Sequence, residues 1–203
     1  MDALDLKKEF NRLYRASTRR FDEVDVPAMK FLMVDGSCEG GNYRDFRAGI
    51  EGLFALSAGM KAAIARTKIG FEYTIMPLEC LWWVRGKGDY TPENTDEWKW
   101  ILMMVQPEYV TSALAREVLG AMNRDELLPG ISRVRYGVFT EGHAVQTLHH
   151  GTRAEKWTTL NRLKAFIEKE GYEVRGRHHE IYISDPRTMT AERMKMIIRL
   201  PVA

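Results

Sequence analysis

The sequence predicts an α+β fold: two tandem strand–helix–strand–strand modules whose antiparallel strands share one sheet, with pseudo-twofold symmetry and a ligand cleft between the halves. Three observations carry that expectation. Apolar residues alternate in strand-like runs and recur at helical spacing between them, in an order that repeats once along the chain. A short signature repeats too: Gly70-Phe71-Glu72 precedes Glu79 in the first half, and Gly171-Tyr172-Glu173 precedes Glu180 at the same spacing in the second. At 203 residues the chain can form one full core, or two small halves sharing one.

The elements follow in order. Leu6, Phe10, Leu13 and Tyr14 predict a short leading helix over 5–14. Val24, Val26 and the run 31–34 predict a strand closed by Asp35-Gly36, and Gly40-Gly41-Asn42 a loop. Phe46, Ile50, Leu53, Phe54, Met60 and Ile64 give a long helix over 43–67. Gly49, Gly52 and Gly59 inside it each weaken a helix by roughly 1 kcal/mol, which points to close packing against a sheet. Residues 71–76 return as a strand. Residues 78–85 and 98–106 form a hairpin around a polar loop, and Pro107 stops it. A linking helix over 108–123 follows. Residues 134–140 and 144–150 read as a second hairpin turning at Glu141-Gly142. Thr152 and Glu155 form a capping box for a helix through Trp157, Leu160, Leu163 and Ile167 that ends at Gly171. Strands 180–184 and 194–200, around Asp185-Pro186, close the chain. Residues 1–203 are thus read as one domain, with halves at about 24–106 and 132–203.

Composition narrows the function. Thirty basic and 28 acidic side chains leave a net charge of +2, without the basic excess that grips a phosphate backbone, so no nucleic-acid partner is expected. No apolar run approaches the ~20 residues of a membrane span, and the N-terminus lacks the basic head of a secretory signal, so no membrane partner is expected either. Cys38 and Cys80, outside any CxxC, suit free thiols in a reducing cytoplasm. Adjacent His149-His150 and His178-His179 point to opposite strand faces, so neither pair chelates one ion; only His178 and Glu180 share a face. No metal or cofactor is expected, and neither a phosphate-binding nor a dinucleotide-binding glycine loop is present.

The stretch MPLECLWW (76–83) carries the functional question. A buried carboxylate is costly unless partnered, so Glu79 needs a counterion, water or a ligand. Strand alternation puts Glu180, Tyr182 and Ser184 on one face and Ile181 and Ile183 on the other. With the isoleucines against a helix, Glu180 and Tyr182 line a pocket. Glu79, Leu81 and Trp83 lie together, with Cys80, Trp82 and Val84 toward the helix. Related halves would bring Glu79 and Glu180 to the cleft from opposite sides. The competing reading pairs both glutamates with Arg85, Arg175 or Lys195 at a sheet surface and gives Trp82, Trp83, Trp98 and Trp100 packing roles.

The passages FLMVDG (31–36), MPLECLWW (76–83), DEWKWILMMVQPEYV (96–110), HHEIYISDPR (178–187) and IIRLPV (197–202) resemble the stand-alone GyrI-like small-molecule-binding proteins, in matching order over nearly the whole chain. The resemblance implies a ligand cleft between tandem modules. The wider superfamily includes drug-binding domains of transcription regulators and a gyrase-inhibitory protein, and some stand-alone members hydrolyse cyclopropane-bearing DNA-alkylating toxins. It carries over Glu180 in HHEIYIS as an acidic pocket residue, and Glu79 with Trp82 and Trp83 in PLECLWW; Trp100, on the second hairpin arm, joins the ligand-binding set. The chain departs from the relatives' Gly-Asp-Pro-Asn-like turn at Ser37-Cys38-Glu39-Gly40-Gly41-Asn42, which affects ligand choice.

Two chemistries suit these residues. Carboxylates with aromatic walls suit flat, apolar and often cationic ligands. A metal-independent hydrolase of cyclopropanoid compounds would use Glu180, raised in pKa by an apolar pocket, as general base, with Tyr182 as acid or hydrogen-bond donor and Glu79 as a further catalytic carboxylate. The alternatives are a non-catalytic sensor or sequestering module acting through a protein partner, and a gyrase-inhibitor-like interaction protein.

Overall fold

The computed structural model describes residues 6–39, 43–66, 73–86, 90–123 and 130–203. Helices α1 (Leu6–Glu9) and α2 (Asn11–Tyr14) lead into β1 (Asp22–Ser37), α3 (Arg44–Ala65), β2 (Leu78–Val84) and β3 (Trp98–Gln106). Helix α4 (Ser112–Asn123) links these to β4 (Arg135–His150), α5 (Glu155–Lys169), β5 (His178–Tyr182) and β6 (Lys195–Pro201). β1 and β4, 16 residues each, are long enough to serve two neighbours apiece, and this closes the antiparallel sheet into a barrel in the order β1-β3-β2-β5-β6-β4. Each half contributes the same neighbour order, β1-β3-β2 and β4-β6-β5, and the halves join through β2 with β5 and β1 with β4.

The sheet has two buried faces. On one, Leu32, Trp82, Trp100, Leu102 and Ile198 pack with Leu53 and Leu56 of α3 and Leu160 and Leu163 of α5. On the other, Phe31, Leu81, Met103, Ile181 and Ile197 pack with Leu6, Leu13 and Tyr14 of α1 and α2. The helical glycines mark close approach: a Cβ at Gly49 would stand 2.9 Å from Leu102, and one at Gly59 2.7 Å from Met122 of α4. By length and composition α3 could cross a membrane; its packing against the sheet and α4 accounts for that apolarity.

Three expectations change. The second hairpin is one continuous strand, because β1 holds a single register across it, Ala28 opposite Thr140 and Val26 opposite Gly142. Gly142, at φ +78, bends the strand without reversing it, and Glu141 is buried rather than at a turn. Residues 74–77 form no strand, and Gly70-Phe71-Glu72, like Gly40-Gly41-Asn42, lies outside the described residues. The leading helix is two short turns, α1 and α2.

Candidate functional site

Strand β5 carries two consecutive buried polar sites, one on each face. In the register of β2 with β5, Cys80 faces Glu180 and Trp82 faces His178, while Glu79 faces Ile181 and Leu81 faces His179. Paired residues share a face. Glu180 therefore lies on the α3/α5 side with Trp82, and Glu79 lies on the α1/α2 side. The two glutamates do not meet over one cleft, and it is Ile181, not Glu180, that points away from the long helices. Neither carboxylate is at the surface: Glu79 is 0% and Glu180 2% exposed.

Glu180 accepts four donors. Oε1 takes Lys156 Nζ at 2.6 Å and His178 Nε2 at 3.0 Å; Oε2 takes the Tyr182 hydroxyl at 2.6 Å and Trp82 Nε1 at 3.1 Å. Burial alone would raise the carboxyl's pKa, but the Lys156 ammonium and the His178 hydrogen bond outweigh it and hold the group well below the usual range. This reverses the expected upward shift. Burial keeps His178 below its ordinary value against the pull of Glu180, so the ring is neutral, with Nε2–H donating to the carboxylate. Among the described residues its buried Nδ1 has no hydrogen-bond partner. Burial, and then the Glu180 charge, raise Tyr182 and Tyr90 well above ordinary phenols, so both are donors.

Around the Lys156 ammonium stand three rings, Trp157 at 4.8 Å, Tyr90 at 5.2 Å and Trp98 at 5.8 Å, and Nζ also donates to the Tyr90 hydroxyl at 3.0 Å. The Tyr90 ring stacks on His178, centroids 4.7 Å apart. Behind that stacked pair opens a cavity of about 260 Å³ bordered by Trp83, Tyr90, Leu160, Lys164, Arg177 and His178. The Arg177 guanidinium lies 3.8 Å over the Trp83 ring. Of the predicted aromatic residues, Trp83 borders this cavity, Trp82 holds Glu180, and Trp100 is fully buried, edge-on to Phe46 and against Gly36. His178 and Glu180 share a face as expected, but Lys156 already supplies the cation at their common oxygen.

Glu79 belongs to a separate network. His179 bridges two carboxylates: Nδ1 lies 3.0 Å from Glu141 Oε2, and Nε2 lies 3.0 Å from Glu79 Oε2 without alignment for a hydrogen bond. Burial pushes His179 down, but Glu141 and Glu79 overcome this and raise it to about 9. Burial likewise opposes ionisation of Glu141, yet His179 and Arg199 lower it to about 2. Arg199 donates to Glu141 at 3.1 Å, to Gln146 at 3.0 Å and to the Leu13 carbonyl at 2.6 Å, while the Tyr14 hydroxyl donates to Glu79 at 2.6 Å.

Lys156, Tyr90, and the Tyr14, Glu141 and Arg199 partners of the second network were not singled out from the sequence, and His178 was noted only for sharing a face with Glu180. One signal was available. Lys156 begins the stripe Lys156, Leu160, Leu163, Ile167, all buried at helical spacing, so a lysine stood on the apolar face of α5.

Two solved structures decide the relationship. An uncharacterized conserved protein from Listeria innocua superposes with a TM-score of 0.87 at 32% identity, over 98% of this chain and 100% of that one. A hydrolase encoded by lin2189 from Listeria innocua superposes with a TM-score of 0.84 at 32% identity, over the whole of both chains. The chain belongs to the family of these Listeria proteins. This chain also superposes on the EcmrR C-terminal domain, at TM-score 0.54 and 13% identity over 91% of this chain and 97% of that one. At such identity the likeness shows the fold alone. No family model and no curated protein matches the chain.

Proposed function

We propose that this chain binds small organic molecules beside the Glu180 network and hydrolyses reactive electrophiles of the cyclopropane-bearing class, as one GyrI-like domain of the cyclopropanoid-hydrolase subgroup. One observation carries the reading: a buried, ionised carboxylate holding a phenol, an ammonium and a neutral imidazole next to an aromatic-walled cavity. It gains support from full-length similarity to a protein described as a hydrolase. Two buried free thiols suit a reducing cytoplasm.

The chemistry is addition of water. A water oxygen bonds to the strained carbon, the ring C–C bond breaks, and its electron pair moves to a conjugated carbonyl oxygen. The Tyr182 hydroxyl turns from Glu180 to that oxygen, which frees a carboxylate lone pair to take the water's proton. A depressed pKa makes Glu180 a weak but fully ionised base, and an electrophile under strain asks little of it. General acid–base help is worth roughly 10²–10⁴-fold. With Glu180→Gln, turnover of a cyclopropane-bearing alkylator, followed by mass spectrometry, should fall at least ~100-fold while tryptophan quenching on binding persists. Unchanged turnover would refute the role. A sequestering module is the second reading. It is favoured by the complete satisfaction of Glu180 in the resting protein, and it returns the ligand intact.

A further inference from the structure

The Glu180 network already contains a cation. An ammonium ringed by three aromatic faces and held by a carboxylate is the arrangement that recognises an organic cation. Here the ammonium belongs to the chain itself, at 4.8, 5.2 and 5.8 Å from the rings of Trp157, Tyr90 and Trp98 and 2.6 Å from Glu180. We propose that Lys156 sets the charge preference of the site by occupying its cation position, so that the site takes uncharged or anionic electrophiles and rejects organic cations.

Packing alone does not explain a lysine here. Its side chain is 3% exposed, and it is the second residue of α5, where the positive end of the helix disfavours an ammonium. A leucine at this position would continue the stripe of Leu160, Leu163 and Ile167. Among the described residues, Glu180, the Tyr90 hydroxyl and the aromatic ring set compensate the charge. A second, mobile cation brought to Glu180 would meet Lys156 at the same oxygen, whereas a carbonyl or an anionic group would find in it a donor. The sequence-based expectation of cationic ligands is thereby reversed for this site.

The inference rests on the proposed ligand site but not on turnover. Choline and its uncharged isostere 3,3-dimethyl-1-butanol serve as probes, read by fluorescence, since Trp82 binds Glu180 and Trp98 and Trp157 face the Lys156 ammonium. Wild-type protein should bind choline no better than the isostere. Lys156→Ala should prefer choline by roughly tenfold or more, the size expected for a desolvated cation over aromatic faces. The double variant Lys156→Ala/Glu180→Gln should lose most of that preference. A wild-type preference for choline overturns the inference, as does a folded Lys156→Ala without the gain. Should Lys156→Ala not fold, Lys156→Gln, which keeps a donor to Glu180, takes its place: a rise in the choline-to-isostere ratio supports the inference and an unchanged ratio overturns it. If Glu180→Gln keeps full turnover while Lys156→Ala gains the preference, the hydrolase reading falls and this one stands; the opposite pattern sinks only this one.

Discussion

His178 and His179 are neighbours in sequence and belong to two different kinds of buried charge. The His179 network holds two carboxylates against two cations, and the chain itself supplies the donors. It ties β4, β5 and β6 to α2 through the Leu13 carbonyl and the Tyr14 hydroxyl. The His178 network holds one carboxylate and one ammonium inside an aromatic shell and borders a cavity through Tyr90 and His178. Both are equally buried. Neither burial of charge nor an unpaired polar atom tells the two networks apart, since both have each; the cavity bordered by Tyr90 and His178 does.

The most severe way to break the comparison is at Arg199. Arg199→Met removes one of two cations from a sealed network and leaves Glu141 and Glu79 to share His179. We expect a loss of about 3–5 kcal/mol, because an uncompensated buried charge remains. Urea unfolding measures it, and release of the Leu13 carbonyl should speed proteolysis in α2. A loss below ~1 kcal/mol would mean the network is hydrated rather than sealed.

The two histidines should also give stability–pH slopes of opposite sign. His179 is raised from 6.5 to about 9, so its contribution is full below pH 6.5 and is lost as pH climbs through about 9. The size is roughly 3–4 kcal/mol. His178 is lowered, so the unfolded chain binds its proton first and stability falls as pH drops below 6.5. Glu141, lowered to about 2, contributes above 4.5 and loses that contribution as pH falls through about 2. Urea midpoints from pH 5 to 10 should show the alkaline decline flattened in His179→Asn and retained in His178→Asn. Equal effects in both variants would erase the distinction between the networks.

Much of this fold was legible in the chain. Helices α3 and α5, the β2–β3 hairpin and the closing strands lie where apolar periodicity put them, and Thr152 and Glu155 make the reciprocal contacts of a capping box. Glu141-Gly142 misled, because a glycine at positive φ suits a turn and a bent strand alike; only the ladder to β1 decides. The site was half legible. Glu180, Tyr182 and Trp82 come together, but the repeat that paired Glu79 with Glu180 has an odd offset (180 − 79 = 101). Side chains alternate with period two, so in the register Cys80 opposite Glu180 an odd offset sends the two glutamates to opposite faces. Lys156 comes from a helix and Tyr90 from a loop, and no local pattern announces that they meet at one carboxylate.

The finest test of the comparison uses one atom on each side. Tyr14 and Tyr182 each donate a hydroxyl at 2.6 Å to a buried carboxylate, Glu79 and Glu180 respectively. Glu180 keeps three further donors when Tyr182 becomes Phe, whereas Glu79 keeps only the misaligned contact with His179 when Tyr14 does. A hydrogen bond to a charged group is worth about 1.5–3 kcal/mol, and an acceptor left without any donor pays the upper part of that range. Tyr14→Phe should therefore cost about 1 kcal/mol more than Tyr182→Phe in urea unfolding at pH 7. Equal costs would show that the redundancy of donors at Glu180 does not buffer it. The proposed release of Tyr182 to a ligand carbonyl would then carry a stability cost comparable to breaking the sealed network, and that step of the mechanism would lose its physical basis.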